Sequence, residues 1–402
     1  MKVLFVSPAA GLGGAERCLL DSLAALQQQG GVRIDVIALA DGPLLQRARE
    51  LGATVRVIQA PPKLTLLGES GSKAESGAAL LGIISAAPGV AGFVAQLRTA
   101  IANSRADVVH TNGMKAHLLA GLLAPARAKL VVHLHDFIST RRASKWLLPA
   151  LGQIRQRAVF IAISHAVARD FASIAPTARI HTIYNVVDTD YFRAGALEPN
   201  WLARQANLEP PKSGTTTFGL VATYARWKGH ALFIEAAGRL KKARPELPVR
   251  FYVVGGPIYE TVGSQVQASE LLQHARVAGI ESSFGLVPFQ DDIARVYQSL
   301  DVVVHASTRP EPFGRTIVEA MACARPVLVA RAGGAAELFE DGVNAFGFEP
   351  GNAANLTETM KKCLDPGVRD RLARSAREHA LAGFGRSRLA AQLLRVYAPE
   401  RS

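Results

Sequence analysis

Ser307-Thr-Arg-Pro-Glu311-Pro-Phe-Gly314-Arg-Thr-Ile-Val-Glu319-Ala-Met-Ala-Cys-Ala-Arg-Pro326-Val-Leu-Val-Ala330-Arg-Ala-Gly333-Gly334-Ala-Ala-Glu337 holds a turn, a helix, a strand and a second turn in succession. Glu311 and Glu319 stand on either side of a Pro-Phe-Gly turn that opens the helix. The short strand Pro326 to Ala330 follows, and then a Gly-Gly-x-x-Glu turn at Gly333, Gly334 and Glu337. Such an order aims backbone N–H groups, a helix start and two acidic acceptors at one spot. That chemistry suits a ligand carrying both anionic groups and many hydroxyls.

Strand and helix alternate outward from this stretch in both directions. The second half reads as strands at Phe218–Ala222, Arg250–Val254, Ser283–Val287, Val302–His305 and Val327–Ala330. The first half reads as strands at Lys2–Ser7, Ile34–Leu39, Val55–Ile58, Val108–His110, Leu130–Leu134 and Val159–Ile163, with helical patterns such as Ala15–Gln28 and Met114–Leu123. This alternation predicts parallel sheets wrapped by helices. Residues 188–215, with Pro199, Pro210, Pro211, Ser213 and Gly214, read as a linker. The expected domains are 1–187 and 216–385, both α/β, with ligand between them at the carboxyl ends of the strands. The amphipathic stretch Arg386–Tyr397 is expected to pack back across the junction.

Composition narrows the class. The chain has 402 residues, enough for two domains, and is 49% hydrophobic and 20% charged. Cys18, Cys323 and Cys363 form no Cys-x-x-Cys pair, so neither a disulfide framework nor a zinc signature is present and a cytoplasmic location is expected. Met-Lys-Val-Leu-Phe-Val-Ser runs directly into a strand, the start expected of a mature chain without a secretory leader. Gly77 to Leu97 is uncharged, but Pro88-Gly89 interrupts it, and packed helices are expected there rather than a membrane span. A formal charge of +13 points to anionic partners. Nucleic acid is not among them, because aromatics are only 6% and no basic-aromatic module is present. Arg141-Arg142-Ala-Ser-Lys145-Trp146-Leu147-Leu148 suits an anionic membrane surface or an acidic acceptor, with a solvated helix start as the alternative.

Other loops carry weaker signals. Gly11-Leu-Gly13-Gly14-Ala-Glu16-Arg17 follows the first strand, but Glu16 stands where a dinucleotide fingerprint needs its third glycine. Gly13 and Gly14 are read instead as a loop that lets a substrate approach the backbone. His133 and His135 share a strand face and lack a third metal ligand; His135, nearer the strand end, is the expected substrate contact. Asp188-Thr-Asp190 has a metal-diphosphate spacing but sits in a turn leaving the first domain. Thr223-Tyr-Ala-Arg226-Trp-Lys228-Gly229-His230 places two cations in a loop between strand and helix, where they can neutralise a departing diphosphate; solvated loop cations are the plain alternative.

Together, Arg226-Trp-Lys228-Gly, Glu311-Pro-Phe-Gly314 with Glu319-Ala-Met-Ala, and the Gly-Gly-x-x-Glu turn resemble the retaining glycosyltransferases of family 4, the glycosyl transferases of group 1. Ile183-Tyr-Asn-Val-Val-Asp-Thr-Asp-Tyr-Phe and Phe251-Tyr-Val-Val-Gly-Gly-Pro are similar to further segments of that family. The resemblance covers the chain and is most specific from about residue 218 to 345. It implies the GT-B fold: two Rossmann-like domains facing across a cleft, acceptor mainly on the first, nucleotide-diphosphate sugar on the second. It further implies that Arg226 and Lys228 stabilise the diphosphate and that Glu319 holds the ribose. Glu311, with the backbone of Phe313 and Gly314, would hold the transferred sugar and the phosphate. Arg315, Thr316 and Val287 would complete the donor contacts, His135 would lie near the sugar, and Gly13 and Gly14 would let the first domain close.

Three departures qualify the match. Ala222 and Thr223 occupy the places of a usual Gly-Arg pair, Val186 stands where glycine is common, and residues 60–100 are long and apolar. The expected activity is metal- and cofactor-independent retaining transfer to a glycan or lipid-linked acceptor, in cell-surface polysaccharide or lipopolysaccharide synthesis. The protein would be cytoplasmic, with peripheral contact at the inner face of the membrane. A nucleotide-sugar epimerase would need acid and base carboxylates beside the hexose. A non-catalytic binding protein would be expected to have lost some of Arg226, Lys228, Glu311 and Glu319.

Overall fold

Val3, Leu4, Phe5 and Val6 are buried along the strand Lys2–Ser7 (β1), as an unbroken apolar run requires once both sheet faces are covered. The computed structural model describes residues 1–61, 87–141, 143–156, 158–257 and 265–398. β1 is followed by Arg33–Ala38 (β2), Thr54–Val57 (β3), Val108–Asn112 (β4), Lys129–Leu134 (β5), Val159–Ala162 (β6) and Arg179–Thr182 (β7). All pair in parallel, in the order β3-β2-β1-β4-β5-β6-β7. Helices such as Gly14–Gln29 and Met114–Leu123 connect them.

A second parallel sheet repeats the pattern with Thr216–Val221 (β8), Val249–Val254 (β9), Phe284–Val287 (β10), Val302–His305 (β11), Val327–Ala330 (β12) and Phe346–Phe348 (β13), in the order β10-β9-β8-β11-β12-β13. Strand order therefore reverses between β1 and β4 in one sheet and between β8 and β11 in the other. Loops leaving the carboxyl ends of those strands frame the place where open α/β sheets bind ligands.

Two compact units result, Met1–Val186 with Arg386–Ser402, and Val187–Gly385. Leu389, Leu393, Val396 and Tyr397 of the helix Ser387–Tyr397 sit in the first unit's core with Phe5, Leu19 and Leu23. Residues 188–215, read from sequence as a linker, belong to the second unit. Within them the helix Pro199–Gln205 buries Trp201, Leu202 and Ala203. Proline opens that helix at its first turn, where no N–H is needed, so a proline-rich stretch is not always a loop. β7 and β13 were not foreseen. β7, Arg-Ile-His-Thr, lies half-exposed at a sheet edge and carries no apolar run, and β13 is only three residues long.

Of the apolar stretch Gly77 to Leu97, residues 77–86 lie outside the described residues; the rest begins the helix Ala87–Ser104, which buries Phe93 and Leu97. Among the described residues no helix is long and apolar enough to cross a membrane. Arg142 of the basic cluster also lies outside the described residues.

Candidate active site

In the second unit the loop after β8 forms one 3-10 turn, Arg226–Lys228, and closes on Gly229 at φ +78. A Cβ on Gly229 would lie 1.8 Å from the Ala306 carbonyl oxygen, so only glycine lets this loop lie against the loop after β11. Thr308 N donates to the Trp227 carbonyl at 2.8 Å and fastens the two loops. Lys228 Nζ then donates to Glu311 Oε1 at 2.5 Å, with Nζ 4.0 Å from the centre of the Trp227 ring. Ser307 Oγ donates to the same oxygen at 2.7 Å, and His305 Nε2 lies 3.2 Å from it. Glu311 is 5% exposed. Burial alone would raise its pKa, but the charge of Lys228 and the bonds from His305 and Lys228 outweigh burial and hold it well below the usual carboxylate range.

The Gly-Gly turn fixes the backbone of this carboxylate. Gly333 bridges to Glu311, and Gly334 N donates to the Glu311 carbonyl at 2.7 Å. Gly333 has φ +64, and a Cβ there would meet that carbonyl at 2.4 Å. Gly314, at φ +106, starts the helix Arg315–Ala322 with no side-chain cap, so the partial positive charge of the helix start stands at the same sheet edge as Glu311. Phe313 is buried, whereas Arg315 and Thr316 in the first turn are half-buried. Glu319, also buried, accepts from Tyr297 Oη at 2.9 Å, and Arg315 Nε lies 3.4 Å from its other oxygen.

Arg226 points elsewhere. Its guanidinium makes a two-pronged pair with Glu270 of the helix Ala268–Val277, at 2.8 and 3.1 Å, and is half-exposed. The hydrogen bond from Arg226 lowers the Glu270 pKa. The two loop cations therefore do not converge: Lys228 meets Glu311 and Arg226 meets Glu270. Val287 is buried at the end of β10, where its carbonyl accepts from Gly255 N at 3.0 Å. Asp188 Oδ1 accepts from the amides of Asp190 and Tyr191, so this half of the Asp-Thr-Asp triplet closes a turn.

In the first unit Gly13 begins the helix Gly14–Gln29, also without a side-chain cap. Asn112, at the end of β4, donates from Nδ2 to the Ala15 carbonyl at 3.1 Å. Its Oδ1 is thereby left as an acceptor for His135 Nε2 at 2.7 Å, which puts the His135 hydrogen on Nε2. The His133 ring lies tilted against that of His135 with ring centres 4.4 Å apart, its Nδ1 is 3.2 Å from His110 Nε2, and Tyr397 Oη lies 2.6 Å from His110 Nδ1. Burial pushes the pKa of His133 down to about 3 and that of His110 well below its usual 6.5. His117, beside Thr111, is likewise lowered to about 3 by burial and by His133 and Arg141.

Sequence reasoning missed Asn112, Tyr297, His305 and Ser307. His305 ends a strand whose following loop carries Glu311, and that position is the one signal that pointed to it. Tyr297 and Asn112 had none.

A family model described as Glycosyl transferases group 1 matches residues 204–379, and one described as Glycosyltransferase Family 4 matches residues 12–191. The two family models make the chain a glycosyltransferase, and its two parallel sheets flanked by helices match the GT-B fold of its structural neighbours. The chain belongs to the family-4 type of that class. D-inositol 3-phosphate glycosyltransferase 1 of Catenulispora acidiphila is 29% identical over 91% of this chain and 86% of its own length. HepE of Anabaena, solved in complex with UDP-glucose, is 28% identical with a TM-score of 0.78, covering 98% of each chain. A glycosyltransferase from Rickettsia africae, at 21% identity and TM-score 0.78 over 98% of this chain and 97% of its own, shares the fold.

Proposed function

We propose that the protein is a metal-independent, retaining hexosyltransferase. It moves a sugar from a nucleotide-diphosphate sugar to a hydroxyl of a glycan or lipid-linked acceptor, in the cytoplasm, for cell-surface polysaccharide or lipopolysaccharide synthesis. One observation carries the reading: Lys228 is held on Glu311 beside an uncapped helix start at the strand-order reversal of the second sheet. A fixed ammonium and the helix start stabilise the charge that builds on a departing diphosphate, which is the service a divalent ion would otherwise provide. Glu311, tied through one oxygen to Lys228, His305 and Ser307, keeps its other oxygen for sugar hydroxyls and is held as an acceptor rather than as a nucleophile. Glu319 receives the ribose. Gly314, with Arg315 and Thr316, receives phosphate, and Val287 lies by the base. In the first unit the Gly13–Gly14 loop and His135 contact substrate. Arg226 acts on the diphosphate only after leaving Glu270.

The binding of UDP-glucose by HepE supports a UDP-sugar as the first donor to try. A thermal-shift series with UDP-, GDP- and ADP-sugars tests this, because a native-state ligand at a hundredfold excess over Kd stabilises by about 2.7 kcal/mol. NMR of the product anomer then tests retention. Donor consumed without any acceptor, with the sugar inverted at a ring carbon, would instead mark an epimerase.

A further inference from the structure

The helix Ser144–Ile154, on the surface of the first unit, is apolar on both sides. Leu148 and Leu151 are buried inward. Outward, Trp146, Leu147, Ala150 and Ile154 recur at helical spacing, with Trp146 71% and Ile154 68% exposed. The neighbouring helix Met114–Leu123 packs Gly121 on Leu151 and adds exposed Leu122, at 57%. A helix whose outward face is this apolar, though interrupted by exposed Gln153, is ordinarily covered by a core or a membrane.

Charge identifies what covers this face. From Val108 to Asp170 the chain carries nine lysines and arginines and two acids. Both acids are engaged, Asp136 by Arg141 and Asp170 by the amides of Ile138 and Ser139. Lys145 lies over the Trp146 ring, Arg155 is held at the surface by the Ala124 and Pro125 carbonyls, and Arg127 is exposed two residues beyond Pro125. A second copy docking through the same face would set these cations against their own like. An anionic bilayer offers opposite charge at its surface and hydrocarbon just beneath, and tryptophan favours that boundary.

We propose that the outward face of the helix Ser144–Ile154, with Trp146, Leu147 and Ile154 at its centre and Lys145, Arg155 and Arg127 around it, docks the protein on an anionic lipid bilayer. Docking is independent of the transferase reading, since it requires neither donor nor acceptor.

The test mixes the full chain with vesicles of equal parts phosphatidylglycerol and phosphatidylcholine, and separately with pure phosphatidylcholine. Expected are co-sedimentation with the anionic vesicles alone, weakening as salt rises, and a shift of tryptophan emission to shorter wavelength. The shift should vanish in Trp146→Phe, because Trp201 is buried and Trp227 half-buried. Paired Trp146→Ser and Ile154→Ser, and separately Lys145→Glu, should each reduce vesicle binding by about tenfold or more with an unchanged melting temperature. Absence of binding to anionic vesicles, or equal binding by the paired variant, overturns the proposal. So does a concentration-dependent dimer that the paired variant abolishes, which would assign the face to a second copy.

Discussion

Tyr297 donates its hydroxyl hydrogen to Glu319 Oε2 at 2.9 Å, and both side chains are buried. Tyr297 comes from the helix Ile293–Gln298 and Glu319 from Arg315–Ala322, so the bond crosses between two helices of one unit. Each carboxylate oxygen has two lone pairs, and Glu319 can be oriented by Tyr297 and still accept a further hydroxyl.

Replacing Tyr297 by Phe keeps the ring and deletes the donor. Stability should fall by about 1–3 kcal/mol, because a buried acceptor loses a partner. If Tyr297 orients Glu319 for the ribose, UDP affinity measured by titration calorimetry should also drop by up to about tenfold, and Glu319→Ala should weaken it further. Unchanged affinity in both variants would place the ribose elsewhere.

Lys228→Ala should lower kcat by about 10²–10³-fold while the circular dichroism spectrum stays that of the parent. Lys228→Arg should not restore full turnover, since a planar guanidinium cannot occupy the place of a compact ammonium pinned between Glu311 and the Trp227 ring. Near-normal turnover in Lys228→Ala removes this residue from the diphosphate role.

Gly229→Ala forces a Cβ into the Ala306 carbonyl at positive φ. Destabilisation of more than about 1 kcal/mol is expected, with turnover falling alongside as the loop carrying Lys228 shifts. A melting temperature equal to that of the parent would show that the two loops separate without cost.

Acid should unfold the first unit through its histidines. His117 and His133 bind a proton near pH 6.5 when unfolded but only near pH 3 when folded. Between those values the unfolded chain holds more protons. The stability these groups contribute is therefore complete above pH 6.5 and is lost as pH falls towards 3, by about 1.4 kcal/mol per pH unit for each. Urea midpoints near neutral pH and at about pH 5 measure the loss. His117→Gln with His133→Gln should make it less steep, with buried His110 supplying part of what remains, and an equally steep profile in that variant would assign the acid sensitivity to other groups.

Donor turnover should survive a metal chelator, because Lys228 and the helix start at Gly314 supply the positive charge. Activity lost in chelator and restored by magnesium would overturn this expectation.

Parallel strands buried on both faces cannot conceal their composition, so most strands were legible to within a residue or two at their ends. Half-exposed β7 and three-residue β13 carry too little apolar pattern to be read. Around Glu311, the turn, the helix start carrying Glu319 and the Gly333–Gly334 turn could be read together because they succeed one another within one stretch, whereas Lys228 stands 83 residues earlier and meets Glu311 only in the fold. Asn112 and Tyr297 were not legible, since their value lies in partners brought to them by the fold. His305 shows the boundary case, visible as a strand end but not as a partner of Glu311.

The order of apolar runs and turn residues was by itself enough to determine two parallel α/β sheets and the loops that leave their carboxyl ends. Tertiary structure alone decided which atoms those loops bring together. Arg226 and Lys228 are two positions apart on a 3-10 turn, and at three residues per turn their side chains diverge by about 120°. One therefore meets Glu270 and the other Glu311, 44 and 83 residues along the chain. Local spacing sets a direction, but only the packed sheet supplies what stands at its end.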